Sequence, residues 1–176
     1  MASVPRFVPA AAMRWRPLAA ADVAYVAALE AHIHAAPWTP ANFREALAAG
    51  YSARVGEREG RIIAYGVLML APGEAQLLNL SVVPDARRGG LGRELLGQFL
   101  EDARRLGAEQ VFLEVRESNT AAIALYEQIG FESVARRESY YPAARVGGLR
   151  EDALVMRRAL GKILLATDDG HLMADN

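Results

Sequence analysis

The sequence predicts a single α/β domain, a mixed β-sheet with helices on both faces, in the order β-α-α-β-β-β-α-β-α-β-β. Three observations support this. Strand-length runs at Tyr51–Gly56, Arg61–Ala71 and Leu77–Val83 follow one another across short turn segments, as hairpins do. Helical patterns then alternate with further strands, the mark of β-α-β units. Finally, 176 residues at 52% hydrophobic content are enough for one full core, and no internal repeat marks a second domain.

Arg14-Trp15-Arg16 reads as a short strand closed by Pro17. Asp22 is placed as the cap of a helix whose buried stripe is Val26, Leu29 and Ile33. Pro37-Trp38-Thr39-Pro40 breaks that helix. Thr39 becomes the N-cap of a second helix and Pro40 its first residue, where the missing N–H costs nothing. This helix runs through Phe43 and Leu47 to Gly50. Strands Tyr51–Gly56 and Arg61–Ala71 are joined by the tight Glu57–Gly60 segment, and Pro72-Gly73 turns the chain toward Leu77–Val83. A long helix follows, with Leu91, Leu95, Phe99, Ala103 and Leu106 recurring every three or four residues up to Gly107. In Gln110–Arg116, Val111, Leu113 and Val115 face one way, Phe112 and Glu114 the other. Ser118-Asn119 opens a helix over Thr120–Gln128 that Gly130 ends. Ser133–Tyr140 and Asp152–Arg158 are the last two strands, linked by a loop holding Pro142, Gly147 and Gly148.

Composition narrows the function. Lys plus Arg number 20 against 21 Asp plus Glu, so no global field favours nucleic acid or an anionic membrane. The absence of cysteine excludes disulfides, thiolate metal sites and a cysteine nucleophile, and is compatible with a reducing cytoplasm. His32 and His34, two apart on a helix, point in different directions and read as surface histidines, so no metal is implied. No apolar run reaches the roughly 18 residues that a membrane helix needs. Met1–Ala12, aperiodic and holding two prolines, reads as a flexible extension and a poor secretory signal. Residues 13–160 read as the domain. Residues 161–176 read as a flexible tail, despite the short apolar patch Ile163, Leu164 and Leu165.

Between the Leu77–Val83 strand and the long helix stand Arg87, Arg88, Gly89, Gly90, Leu91, Gly92 and Arg93. Glycines admit close approach of the backbone, a helix start offers free N–H groups, and its dipole adds positive charge, so a phosphate or pyrophosphate fits here. A plain Gly-rich turn with surface arginines is the alternative. Two phosphate-loop patterns are excluded. Gly92 is followed by Arg93-Glu94 rather than Lys-Ser/Thr, and position 95, where a dinucleotide fingerprint needs its third glycine, is leucine.

Glu114 is a carboxylate within an apolar strand, which calls for a partner, a water or a chemical role; a place at the strand's solvated edge is the alternative. Asn119 and Tyr126 are two helical turns apart and share a face, yet a helix cap and a core aromatic would explain them as well.

Together these residues resemble a known family. Arg87-x-x-Gly90-x-Gly92 resembles the acyl-CoA pyrophosphate loop of the GCN-five-related N-acetyltransferases, the GNAT superfamily. Glu114-Val115-Arg116-x-x-Asn119-x-x-Ala122-Ile123-x-Leu125-Tyr126-x-x-x-Gly130-Phe131 resembles its second signature block. Pro37-Trp38-Thr39, Tyr140-Tyr141-Pro142 and Arg150-Glu151-Asp152-Ala153 are similar to segments of the RimI type, the N-terminal alanine acetyltransferases of a small-subunit ribosomal protein. The resemblance spans about Arg14 to Leu160; Val83 departs from it, standing where that type carries aspartate.

The resemblance implies the GNAT acyl-CoA N-acyltransferase fold and acetyl-CoA as cosubstrate. Backbone groups of Leu80, Ser81 and Val82 would pair with the pantetheine arm. N–H groups of Arg88, Gly89, Gly90, Leu91, Gly92 and Arg93 would hold the pyrophosphate, and Asn119 would contact the cofactor near its pantetheine. Glu114 would be the base, directly or through water, and Tyr126 the acid. Trp38, Tyr140 and Tyr141 would bound the acceptor. The implied reaction is direct acetyl transfer in a ternary complex to the N-terminal alanine of a ribosomal protein. A lysine, polyamine or small-molecule amine is the alternative acceptor, and a non-catalytic CoA-binding module the alternative class.

Overall fold

The computed structural model describes residues 12–143 and 148–161. Apart from Ala12 and Gly161, the expected extension and tail lie outside the described residues, as does Gly147 of the last loop. The strands are β1 (Arg14–Pro17), β2 (Ser52–Arg58), β3 (Arg61–Ala71), β4 (Glu74–Val82), β5 (Gln110–Arg116), β6 (Glu132–Tyr141) and β7 (Glu151–Ala159). The helices are α1 (Val23–Ile33), α2 (Pro40–Ala48), α3 (Leu91–Arg105) and α4 (Thr120–Gln128). The strands form one sheet in the order β1-β2-β3-β4-β5-β7-β6. Among the described strands only β4 and β5 pair in parallel, and α3 is the crossover that a parallel connection needs.

Alternation along β3 separates two cores. Ala64 and Leu68 join Leu95, Phe99 and Val111 beneath α3, while Tyr65 and Val67 join Val26 and Phe43 beneath α1 and α2. Gly66 lies between the Ala64 and Leu68 positions because no side chain fits there. A Cβ would stand 2.7 Å from both the Asn79 carbonyl oxygen and the Phe99 ring. The β2–β3 hairpin is tighter than expected: Arg58 pairs with Arg61, leaving Glu59 and Gly60 as the turn. Both have positive φ, which matches the right-handed twist of the strands.

Three local expectations need correction. Asp22 stands at the N-cap position of α1, but its side chain makes no capping hydrogen bond there. It belongs to a preceding 3-10 turn, accepts from the Ala19 N–H at 2.8 Å and is bound by Arg16. The buried stripe of α1 is Val23, Val26, Ala27 and Glu30; Leu29 and Ile33 are only partly covered. Leu106 is 66% exposed, because α3 ends before it and the chain turns at Gly107. Thr39 does cap α2. Its hydroxyl accepts from the Asn42 N–H at 3.2 Å while the Asn42 side chain accepts from the Thr39 N–H at 2.8 Å.

Candidate functional site

The site is made by two strands that part. β4 and β5 pair from Glu74 with Gln110 as far as Leu77 with Leu113, although each continues beyond. On its other side β4 pairs Leu77 with Leu68 and Asn79 with Val67, so Leu78 is an extra residue. Such a bulge bends its strand. From Leu78 on, β4 follows β3 while β5 follows β7, and a cleft opens between them.

One end of the cleft has a volume of about 600 Å³. It is lined by Leu80, Ser81 and Val82 of β4, by Arg87, Arg88, Gly90, Leu91, Gly92 and Arg93, and by Asn119 and Tyr126. Of the expected cofactor residues only Gly89 is missing from the lining. Gly90 precedes α3 at φ +82°, which glycine adopts without cost. Arg88 holds φ +64° without that freedom, a strain that marks the loop shape as imposed. The first N–H groups of α3 have no acceptor within the helix and point out of its end. Two of the arginines also brace the loop: Arg87 Nε donates to the Val82 carbonyl at 3.0 Å, and Arg93 to Gln128 Oε1 at 2.7 Å. A strand edge free to pair, followed by an anion-binding helix start, fits a chain of amides ending in a pyrophosphate.

The other end, of about 210 Å³, is lined by Glu114, Tyr126, Tyr141, Trp38, Asn119, Ser81 and Arg116 among others. Glu114 is not at a solvated edge. Its strand is internal, its side chain is 14% exposed, and Arg137 of β6 reaches over β7 to place Nε 2.8 Å from its carboxylate. Tyr126 is buried against Phe131, and burial holds its phenol well above the ordinary value, with Tyr141 adding to the shift. Asn119 proves to be the cap of α4, accepting from the Ala122 N–H at 3.3 Å, while also lining the cleft. Tyr141 lies under the Arg116 guanidinium at 4.3 Å, and burial, then the nearby Glu114 charge, pushes its hydroxyl up to about 12. Tyr140 is 42% exposed and does not line the cavity. It packs edge-on to Tyr141, and its hydroxyl is raised by the Glu114 carboxylate.

Sequence reasoning missed the polar network beneath this end. Glu30, 2% exposed, accepts from the Tyr65 hydroxyl at 2.7 Å, from Asn79 Nδ2 at 3.1 Å and from the Trp38 N–H at 3.2 Å. His34 Nε2 stands 3.5 Å from the same carboxylate and 2.8 Å from the Ser81 hydroxyl. His32 does point elsewhere, but His34 faces the cleft and is no ordinary surface residue. Only a charged residue on the apolar face of α1, at Glu30, marked this network in the sequence.

Comparison with known proteins agrees with this geometry. Residues 20–131 match the profile described as "Acetyltransferase (GNAT) family". The chain is 38% identical over 128 residues to a [ribosomal protein bS18]-alanine N-acetyltransferase of Escherichia coli (strain K12), covering 73% of this chain and 84% of that protein. It is 39% identical over 151 residues to the N-alpha-acetyltransferase RimI of Mycobacterium tuberculosis, covering 82% and 90% respectively. The crystal structure of the ribosomal-protein-S18-alanine N-acetyltransferase from Escherichia coli superposes with a TM-score of 0.79 at 33% identity, over 86% of this chain and 96% of that one.

Proposed function

The chain belongs to the acetyltransferase (GNAT) family and is an acetyl-CoA-dependent N-acetyltransferase; from that premise we propose that its acceptor is the N-terminal alanine of a small-subunit ribosomal protein. One observation carries the choice of acceptor: Trp38, Tyr141, Glu114 and Tyr126 line the same end of the cleft, beyond the strand edge suited to the cosubstrate. Aromatic walls there suit a peptide that enters by its terminus and leave room for a small first side chain.

Acetyl-CoA supplies an activated acetyl group, and the chain's own residues do the rest. An amine must be neutral to attack. A peptide α-amine, with a pKa near 7.7–8.0, needs about 1 kcal/mol to lose its proton at neutral pH, whereas a lysine near 10.4 needs roughly 4 to 5. Glu114, directly or through water, is adequate for the first case. The cleft-facing N–H groups of Leu80 and Val82, on the edge of β4 away from β3, hold the extended arm and polarise the thioester carbonyl. Tyr126, like any phenol, is protonated at neutral pH, and burial extends that state further into alkali, so it is a standing donor to the sulfur as the C–S bond opens.

We place the catalytic unit at residues 13–160 and its work in the cytoplasm, on protein rather than nucleic acid or membrane. No described helix is long and apolar enough to cross a membrane. The test is to incubate the protein with acetyl-CoA and a peptide that begins with alanine and carries an internal lysine, then map the product by fragmentation. The reading requires one acetyl group on the α-nitrogen. Acetylation of the lysine contradicts it.

A further inference from the structure

Resting on the amine-acetylating reading above, we infer that His34, backed by the buried Glu30, is a second proton acceptor of the site, reached through the Ser81 hydroxyl. Among the described residues no Lys or Arg pairs with Glu30, and His34 is the one basic side chain within ion-pair distance of it, at 3.5 Å. Glu30 is fixed by the three neutral donors of Tyr65, Asn79 and Trp38, so it cannot turn away from the ring. A buried, fixed carboxylate compensates a positive charge formed next to it, and His34 Nε2 is the atom placed to gain one. Its side chain is 41% exposed, so a proton gathered there can pass on to water.

Ser81 connects this pair to the cleft. It is 5% exposed, and it lines both ends of the cleft, as His34 does. Its single hydroxyl proton has His34 Nε2 at 2.8 Å and Asn79 Oδ1 at 3.2 Å as acceptors, with the Tyr65 hydroxyl also in reach. With the proton directed to His34, Oγ is free to accept. Glu114, by contrast, is already engaged by Arg137 at 2.8 Å.

The proton balance closes. By this second route the proton that Glu114 would otherwise take passes from the substrate ammonium to Ser81 Oγ, as Ser81 gives its own to His34 Nε2. The nitrogen lone pair then forms the C–N bond while the C–S bond breaks. The second nitrogen proton reaches the sulfur through the Tyr126 hydroxyl, which gives one proton as it takes one. His34 releases the first proton to water, leaving amide, thiol and one free proton.

His34→Ala and His34→Asn are compared with wild type and Glu114→Gln, using an alanine-starting peptide at neutral pH. Both His34 variants should lose at least about tenfold in kcat, the scale of a proton-transfer group. Their calorimetric affinity for acetyl-CoA should stay within about twofold of wild type. Asparagine keeps a polar contact for Ser81, so an equal loss there excludes a purely structural cause. Added imidazole should restore His34→Ala saturably and do nothing for Glu114→Gln. An unimpaired His34→Ala overturns the relay, and so does a loss that imidazole leaves untouched. A wild type inactive on the peptide overturns the acceptor reading and the relay together; an active wild type with an unaffected His34→Ala overturns the relay alone.

Discussion

The Arg137 guanidinium on β6 spans the intervening strand to hold the Glu114 carboxylate of β5 at 2.8 Å. The Glu114 carboxylate is thereby held in one orientation, by a side chain that is itself 57% exposed. Glu114→Gln should lower kcat about a hundredfold with acetyl-CoA affinity nearly intact, and recover in part at high pH, where the amine is already neutral. Arg137→Ala, which only loosens the carboxylate, should cost several-fold in kcat. Steady-state kinetics beside calorimetry checks both, and normal turnover by Glu114→Gln would remove it from the chemistry.

Tyr126→Phe should lower kcat by about ten- to a hundredfold without weakening cosubstrate binding. Burial raises the phenol, so in wild type it stays protonated beyond the ordinary tyrosine range. The alkaline side of the pH–rate profile should thus show no decline from Tyr126 up to about pH 10. A fall centred near pH 8 that Tyr126→Phe abolishes would contradict this.

Gly92→Asp sets a carboxylate at the start of α3, where the helix end and arginines favour an anion. A Cβ there meets only side chains, the flexible end of Leu125 at 3.3 Å and Val82 at 3.9 Å, so the fold should tolerate it. Each charge-assisted hydrogen bond lost is worth about 1.5–3 kcal/mol, so acetyl-CoA affinity should fall at least about tenfold. Unchanged affinity in a folded variant would place the cosubstrate elsewhere.

Stability should drop in acid. Burial pushes the Asp102 carboxyl up, but Arg54 and Ser52 more than reverse this, and the net value lies below 3.8. Asp22 is likewise lowered, chiefly by its hydrogen bond from Arg16. A carboxyl lower in the folded than in the unfolded state stabilises fully above its unfolded value and loses that contribution as pH falls through the folded one. The melting temperature should therefore fall below about pH 4. Asp102→Asn should be less stable at neutral pH and show a shallower acid decline; an undiminished decline would show that Asp102 is not a source of it.

The order of elements was legible because each signal is local. Thr39-Pro40, Gly107 and the alternation of Gln110–Arg116 specify a cap, a stop and a two-sided strand within a few residues. The same locality explains the misses. Asp22 sits where a cap would, but Arg16, from a strand before it, takes the carboxylate. The bulge at Leu78 that opens the cleft depends on register with β3, and no nearby residue announces it. Glu30 stands on the apolar face of α1, but its partners Tyr65 and Asn79 come from strands 35 and 49 residues away, so nothing local names them. Glu114 and Tyr126, which line the cleft, were proposed because their spacing fits a family pattern, whereas Arg137, paired across the sheet, carries no such spacing.

The most direct test of N-terminal alanine as the acceptor is kcat/KM on hexapeptides beginning Ala, Ser, Met or Leu, with one blocked at its terminus and carrying a free lysine. Excluding one methylene from a pocket is worth only about 1–3 kcal/mol, so serine should be tolerated and leucine disfavoured. Alanine should lead, with the blocked lysine peptide far behind. A blocked lysine peptide that matched or outran the alanine peptide would contradict the account, leaving the acetyltransferase in place with a different acceptor.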